Sequence, residues 1–143
     1  MKIAIRYQSR GGNTKAVAEI IAKTFDIQAL TINEPIEEYT DILFLGGGVY
    51  EWKMDKSLLK FIENLSPEKV GQIVAFSTTG LMDSTLKQIR EAATNKKIKV
   101  NNSELLIKMT FHGHALLGLS GGKLNEKQQE KVHNFLKKLK DEM

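Results

Sequence analysis

The chain has 143 residues, 41% of them hydrophobic and 27% charged, which is typical of a globular domain, and its formal net charge is +4. It contains no cysteine, which excludes disulfides, thiolate nucleophiles, Cys-based zinc sites and iron–sulfur clusters. No apolar run approaches the roughly 18 residues of a membrane-spanning helix, and the apolar stretch at the N-terminus is too short for a signal peptide. We therefore expect a single domain over residues 1–143, without membrane insertion and located in the cytoplasm.

The first part of the chain alternates between strand-like and helix-like patterns. Residues 2–7 and 27–32 are apolar runs of strand length, so each predicts a strand. Between them a helix is predicted from Thr14 onward, because apolar residues recur there with the spacing of one helix face. These residues are Val17, Ile20, Ile21 and Phe25. The segment after the second strand contains Pro35 and allows at most one or two helical turns.

The middle of the chain repeats the alternation. Residues 41–45 form an almost continuous apolar run that ends at the three glycines 46–48, which is typical of a strand buried on both faces. A helix follows and ends at Ser66-Pro67. Residues 72–76 predict a fourth strand, closed by the sequence Ser-Thr-Thr-Gly. In the helix that ends at Ser66-Pro67, the spacing of the apolar residues predicts a buried face made of Leu58, Phe61, Ile62 and Leu65.

The last part of the chain contributes two more helices and a strand. The strand is predicted over residues 104–111, and the final helix begins near Asn125, a residue that suits an N-cap. The buried residues of the two helices are Leu86, Ile89 and Ala93 in the first, and Val132, Phe135, Leu136 and Leu139 in the second. Five strands separated by helical segments predict an α/β fold, a doubly wound five-stranded parallel sheet of order 2-1-3-4-5 with helices on both faces.

Ligands of such sheets bind beyond the carboxyl ends of the strands, where the winding reverses. The loops after strands 1, 3 and 4 should therefore border one crevice. The first of them has the sequence Ser-Arg-Gly-Gly-Asn-Thr over residues 9–14. Glycines, short polar side chains and a helix N-terminus together make a cradle for a phosphate. An ordinary capped turn between a strand and a helix favours the same residues, so this loop alone leaves both interpretations open.

Other phosphate-binding patterns do not fit this position. Neither GxxxxGK[ST] nor GxGxxG follows the first strand, and Gly122-Lys123 is followed by leucine before the last helix. A cysteine-based phosphatase loop is excluded by composition. A receiver domain requires an acidic pair after the first strand, where the chain has Tyr7-Gln8.

The other two loops carry aromatic and hydroxyl side chains. Tyr50 and Trp52 follow the glycines of the third strand, where they can stack on a planar ligand or simply cover the edge of the sheet. Ser77, Thr78, Thr79 and Gly80 follow the fourth strand and offer either ligand donors or a turn with a helix cap.

These three loops, in this order, resemble the flavodoxin family. Residues 9–14 resemble its phosphate loop and match it at Ser9, Gly12, Asn13 and Thr14, whereas Gly11 stands where the family usually has threonine. Residues 41–65 resemble the third strand, the flavin-stacking loop and the helix that follows, and residues 72–80 resemble the fourth strand and the loop that contacts the flavin. The resemblance covers nearly the whole chain.

The resemblance implies a bound flavin mononucleotide, FMN. Its phosphate would be held by Ser9, Arg10, Gly11, Gly12, Asn13 and Thr14. Tyr50 and Trp52 would stack on the ring system. The ring edge would bond to backbone groups of Gly47, Gly48, Val49, Ser77, Thr78, Thr79 and Gly80.

The charge departs from that of an electron-shuttling flavodoxin, which is usually strongly acidic. Residues 1–95 carry 11 Lys and Arg against 12 Asp and Glu, and residues 96–143 carry 10 against 5. Acidic surroundings repel the anionic reduced form of a flavin and so lower its reduction potential. With fewer acidic residues nearby, the flavin should be less strongly reducing, and a different redox partner should dock. We expect a redox partner protein or a small-molecule acceptor. Nucleic acid is disfavoured, because aromatic residues are not interleaved with the basic ones.

Three functions remain open. The first is an FMN-binding electron-transfer protein. The second is an FMN-dependent oxidoreductase for a quinone or porphyrinogen, with Tyr50, Trp52, Met82 or His112 beside the substrate. The third is a flavin-free module that binds an anion or a protein. The histidines 112 and 114 lack an obvious third metal ligand, so no metal site is predicted.

Overall fold

A computed structural model describes residues 1–50, 53–79, 84–108 and 124–143, with the backbone alone at Val49, Tyr50, Lys53, Met54 and Thr79. Seven strands and four helices lie within these residues. In chain order they are β1 (Ile3–Gln8), α1 (Asn13–Phe25), β2 (Ala29–Thr31), β3 (Thr40–Tyr50), β4 (Lys53–Met54), α2 (Lys56–Glu63), β5 (Val70–Thr79), α3 (Ser84–Asn95), β6 (Lys99–Val100), β7 (Leu105–Lys108) and α4 (Glu126–Glu142). No helix in the described parts of the chain is long and apolar enough to cross a membrane.

The strands form a largely parallel sheet of order β2-β1-β3-β5-β6. The short strand β4 pairs with the end of β3 in the antiparallel direction. Both β6 and β7 pair with β5, β6 at Gln72–Ile73 and β7 at Phe76–Thr79, so the two together occupy the fifth position of the sheet. The predicted flavodoxin-like order 2-1-3-4-5 is confirmed, with its last strand in two pieces.

The core consists of one apolar layer on each face of the sheet. Because successive side chains of a strand point to opposite faces, Phe44 packs into the layer beneath α1 and α4, and Leu43 and Leu45 pack into the layer beneath α2 and α3. All three side chains are fully buried. Burying a side chain of this size stabilises the fold by about 1.5–3 kcal/mol. The predicted apolar faces of all four helices pack into these layers, although three of the predicted side chains are only partly buried, namely Ile20, Phe25 and Phe135.

Two strands extend further than their apolar runs predict. Strand β3 continues through Gly46, Gly47 and Gly48 to Tyr50, and β5 continues to Thr79. The glycines therefore lie in a strand and do not end it. Packing explains two of them: a Cβ atom on Gly46 would lie 2.2 Å from the ring of Phe76, and one on Gly47 would lie 2.7 Å from Leu58.

The connection between β2 and β3 contains turns but no helix over residues 32–39. Arg6 of β1 holds it in place, since its guanidinium donates to the carbonyl oxygens of Glu34 at 2.8 Å, Pro35 at 3.1 Å and Ile5 at 3.0 Å. Arg6 is only 9% exposed. Burial lowers the pKa of this guanidinium below its usual value, and the charge of Glu34 partly opposes the shift.

Candidate functional site

The sheet brings the three predicted site segments to one edge. In the register of the strands, Gln8 of β1 lies opposite Gly47 of β3, and Gly47 lies opposite Ser77 of β5. Gly48 lies opposite Thr78 in the same way. The carboxyl ends of β1, β3 and β5 are thus adjacent, as the fold predicts for a ligand-binding edge.

Helix α1 begins at this edge without a side-chain cap. Its N-cap residue is Gly12, whose φ of 89° lies in the left-handed region that favours glycine, and its N–H donates to Ser9 Oγ at 3.0 Å. Among the described residues, no side chain caps α1 and its first turn has no acidic residue, whereas Asp55 caps α2 and Asn125 caps α4. The positive end of the α1 dipole and the amide groups of residues 13–15 therefore suit an anion.

A hydrogen bond between two threonine hydroxyls joins α1 to β5. The Oγ1 atoms of Thr14 and Thr78 are 2.7 Å apart, and the two residues are 1% and 5% exposed. The bond holds the first turn of α1 against the end of β5. It also gives the Thr14 hydroxyl a protein partner, so a phosphate at this turn would be contacted first by backbone amides. The assignment of the Thr14 side chain to the phosphate stays a prediction.

Two further hydroxyls fix the glycine end of β3. Ser77 Oγ donates to the carbonyl oxygen of Gly47 at 2.7 Å, and Thr85 Oγ1 donates to that of Gly48 at 2.8 Å. Both donors are buried. The Ser77 side chain thus supports the strand. Thr85 was not among the predicted site residues, although a hydroxyl in the first turn of a helix at this edge was a visible signal.

Two polar atoms near the same edge have no hydrogen-bond partner within the described structure. They are Gln8 Oε1, at the end of β1, and Ser84 Oγ, at the start of α3. A buried polar atom without a partner costs about 1–3 kcal/mol. Neither residue was among the predicted site residues, although Gln8 is the polar residue that directly precedes the glycine loop.

An ion pair joins the loop after β1 to the start of α2. Arg10 Nη2 lies 2.7 Å from Asp55 Oδ2, and the side chains are 59% and 12% exposed. Asp55 also caps α2, since its Oδ1 accepts the backbone N–H of Ser57 at 2.8 Å and the Ser57 hydroxyl. The hydroxyl and N–H of Ser57, with a smaller contribution from Arg10, lower the pKa of the Asp55 carboxyl, and partial burial opposes them.

Part of the predicted site is described only by its backbone or not at all. Val49 and Tyr50 lie in β3, paired with Met54 and Lys53, and Thr79 ends β5. The expectation that Tyr50 lies in a loop was wrong, because β3 and β4 form a hairpin there. Trp52, Gly80, Met82 and the histidines 112 and 114 lie outside the described residues.

The chain is similar in sequence to a protein of Methanocaldococcus jannaschii and in fold to known flavodoxins. An uncharacterized protein of Methanocaldococcus jannaschii is 28% identical over 151 residues, which cover 97% of this chain and 98% of that protein. A flavodoxin from the domain Archaea superposes with a TM-score of 0.62 at 20% identity, covering 98% of this chain and 99% of the other. The flavodoxin of Megasphaera elsdenii gives a TM-score of 0.62 at 17% identity, covering 85% and 99%.

These structural similarities, at identities of 20% and below, establish the fold. The model of the flavodoxin domain family matches residues 4–142, which is nearly the entire sequence. The chain therefore belongs to the flavodoxin family.

Proposed function

We propose that the chain binds FMN at the carboxyl ends of β1, β3 and β5 and transfers electrons to a partner. One observation carries the proposal. The uncapped N-terminus of α1 is held by the Thr14–Thr78 hydrogen bond next to the glycine end of β3. A helix N-terminus is a general anion site, and the flavodoxin family typically carries FMN there.

The residues at this edge fit the phosphate of FMN. The amide groups of Asn13 and Thr14 belong to the first turn of α1, and Ser9 Oγ already orders the turn by accepting the N–H of Gly12. No acidic side chain in the first turn of α1 repels the phosphate. The proposed phosphate contacts are those of Ser9, Arg10, Gly11, Gly12, Asn13 and Thr14.

The ends of β3 and β5 fit the edge of a flavin ring. The side chains of Ser77 and Thr85 fix the carbonyl groups of Gly47 and Gly48 in position. We assign the ring contacts to backbone groups of Gly47, Gly48, Val49, Ser77, Thr78, Thr79 and Gly80, and the stacking to Tyr50 and Trp52. When bound, FMN supplies reversible electron transfer, and the protein binds it, orients it and limits its contact with water.

The charge of the chain bears on the partner. The formal net charge of +4 contrasts with the strongly acidic charge that is usual for an electron-shuttling flavodoxin. A partner protein with an acidic docking surface, or a small neutral acceptor, fits this charge better than a basic partner. The alternative of an oxidoreductase for a quinone or porphyrinogen rests on Tyr50, Trp52, Met82 and His112, whose side chains lie outside the described part of the chain.

The proposal is tested by titrating the protein into FMN and into riboflavin while flavin fluorescence is recorded. We expect the fluorescence of FMN to be quenched at micromolar protein concentrations. Riboflavin lacks the phosphate and should therefore bind more weakly. Inorganic phosphate should compete with FMN for the site. Unquenched FMN would contradict the proposal and favour a flavin-free module, and equal affinity for the two flavins would contradict the assigned phosphate site. Turnover of the loaded protein with a panel of quinones would favour the enzyme instead.

A further inference from the structure

Arg10 and Asp55 belong to two segments that border the proposed FMN site from different sides. Arg10 lies in the glycine loop between β1 and α1, and Asp55 directly follows β4. Strand β4 pairs with the end of β3 at Val49 and Tyr50, and Tyr50 is one of the two residues proposed to stack on the flavin. The pair joins positions 45 residues apart in the chain. Of the ion pairs that the structure describes, this one connects two segments of the site, since Lys2–Glu38 and Arg90–Glu104 lie elsewhere.

The Asp55 carboxylate is anchored by Ser57 independently of its bond to Arg10. Its Oδ1 accepts two hydrogen bonds from Ser57, and the remaining oxygen, Oδ2, accepts from Arg10. The side chain is 12% exposed, so it is an anchored and mostly buried acceptor. Arg10, by contrast, has a side chain that is 59% exposed. Its bond to Asp55 therefore adds a long-range restraint to a loop whose turn is also ordered by Ser9.

We propose that the Arg10–Asp55 ion pair is a latch that fastens the phosphate loop (residues 9–12) to β4 and the residue after it (residues 53–55), and that Asp55 is a positioning residue for FMN. The inference rests on the proposed function for its effect on FMN and on the geometry alone for the latch. By ordering both segments before the ligand arrives, the latch reduces the conformational entropy that binding costs.

The competing interpretation makes the Arg10 guanidinium itself a phosphate ligand, whereas in the latch the guanidinium stays on Asp55 and Arg10 meets the phosphate only through its backbone N–H. If the guanidinium acted mainly as a positive charge for the phosphate, Asp55 would compete with the ligand for it. Removal of the Asp55 charge would then tighten FMN binding. The latch requires the opposite sign, because removal of the charge releases the loop. Whether removal of the Asp55 charge weakens or tightens FMN binding therefore distinguishes the latch from the competing interpretation.

Asp55→Asn breaks the latch selectively. Asparagine keeps an Oδ1 acceptor for the N–H of Ser57 and is as good an N-cap as aspartate, so α2 should remain capped. We expect the dissociation constant for FMN to rise about two- to five-fold, the range of a partly exposed ion pair. Arg10→Met should have a similar effect, and Asp55→Asn should add little in the Arg10→Met background. Glu104→Gln, which breaks the Arg90–Glu104 pair at 2.8 Å, is the matched control and should leave FMN binding unchanged.

A second measurement needs no ligand. Hydrogen exchange of the FMN-free protein should be faster at the amides of residues 9–13 in Asp55→Asn and in Arg10→Met, and unchanged there in Glu104→Gln. Unchanged exchange, or unchanged or tighter FMN binding in Asp55→Asn, would overturn the proposal. If the parent protein binds no FMN, the proposed function and the positioning role fail together, while hydrogen exchange still decides whether the latch exists.

Discussion

The side-chain hydroxyls of Thr14 and Thr78 lie 2.7 Å apart and are buried, although 64 residues separate them in the chain. The bond joins the first turn of α1 to the carboxyl end of β5. It fixes the position of the uncapped helix N-terminus on which the proposed phosphate site depends.

The threonine pair predicts a non-additive pair of mutations. Thr14→Val or Thr78→Val alone leaves the other hydroxyl buried without a partner, so each should lower the free energy of unfolding by about 1–2 kcal/mol. The double variant removes both polar groups and should be less destabilised than the sum of the two. Denaturant unfolding of the four proteins provides the measurement. Strictly additive losses would mean that the two hydroxyls do not depend on each other.

Gly46 and Gly47 should differ in their tolerance of alanine. A Cβ atom at Gly46 would lie 2.2 Å from the rigid ring of Phe76, so Gly46→Ala should lower the free energy of unfolding by about 1–3 kcal/mol. Gly47→Ala meets the flexible end of Leu58 at 2.7 Å and should cost less. Adding Phe76→Leu should relieve part of the Gly46→Ala defect. Thermal or denaturant unfolding checks the order, and an equal cost at the two positions would contradict it.

Arg6 should prove essential for the connection between β2 and β3. Arg6→Met removes the donors of three carbonyl groups, and we expect the free energy of unfolding to fall by about 1–3 kcal/mol. Hydrogen exchange should rise over residues 32–37 in particular. Lys2→Met is the control, because the Lys2–Glu38 pair is exposed and should contribute little. Protection of residues 32–37 that survives in Arg6→Met would show that the loop is held by other contacts.

Asp55 should make the stability of the protein depend on pH in the acid range. Its pKa in the folded state lies below the unfolded value, which is about 3.9 for aspartate. Its contribution is therefore present above the unfolded pKa and is lost as the pH falls through the folded pKa. Between about pH 5 and pH 2, Asp55→Asn should lose stability less steeply than the parent protein. Denaturant unfolding at a series of pH values gives the free energy of unfolding of both proteins. If it depends on pH in the same way for both, the lowered pKa of Asp55 is contradicted.

Most elements of the fold follow from local patterns. The helix faces are set by apolar spacing, and Asn125 is confirmed as an N-cap, where its side chain and that of Gln128 form a reciprocal capping box. The strand order follows from the alternation of strands and helices, since parallel neighbours need right-handed crossovers. The three site segments therefore meet at the edge where the chain pattern placed them.

The sequence by itself determined the sheet order, the buried helix faces, the absence of cysteine chemistry and the convergence of the carboxyl ends of β1, β3 and β5, because these depend on residue type and on spacing along the chain. The tertiary structure alone decided that β3 continues through its glycines, that the hydroxyls of Thr14 and Ser77 bond to the protein, and that Arg6 is buried. Each of these depends on which atoms approach from a distant part of the chain, such as the ring of Phe76 or the carbonyl of Gly47. A local pattern carries no information about such partners, because a hydrogen bond or a steric contact is set by distance in space.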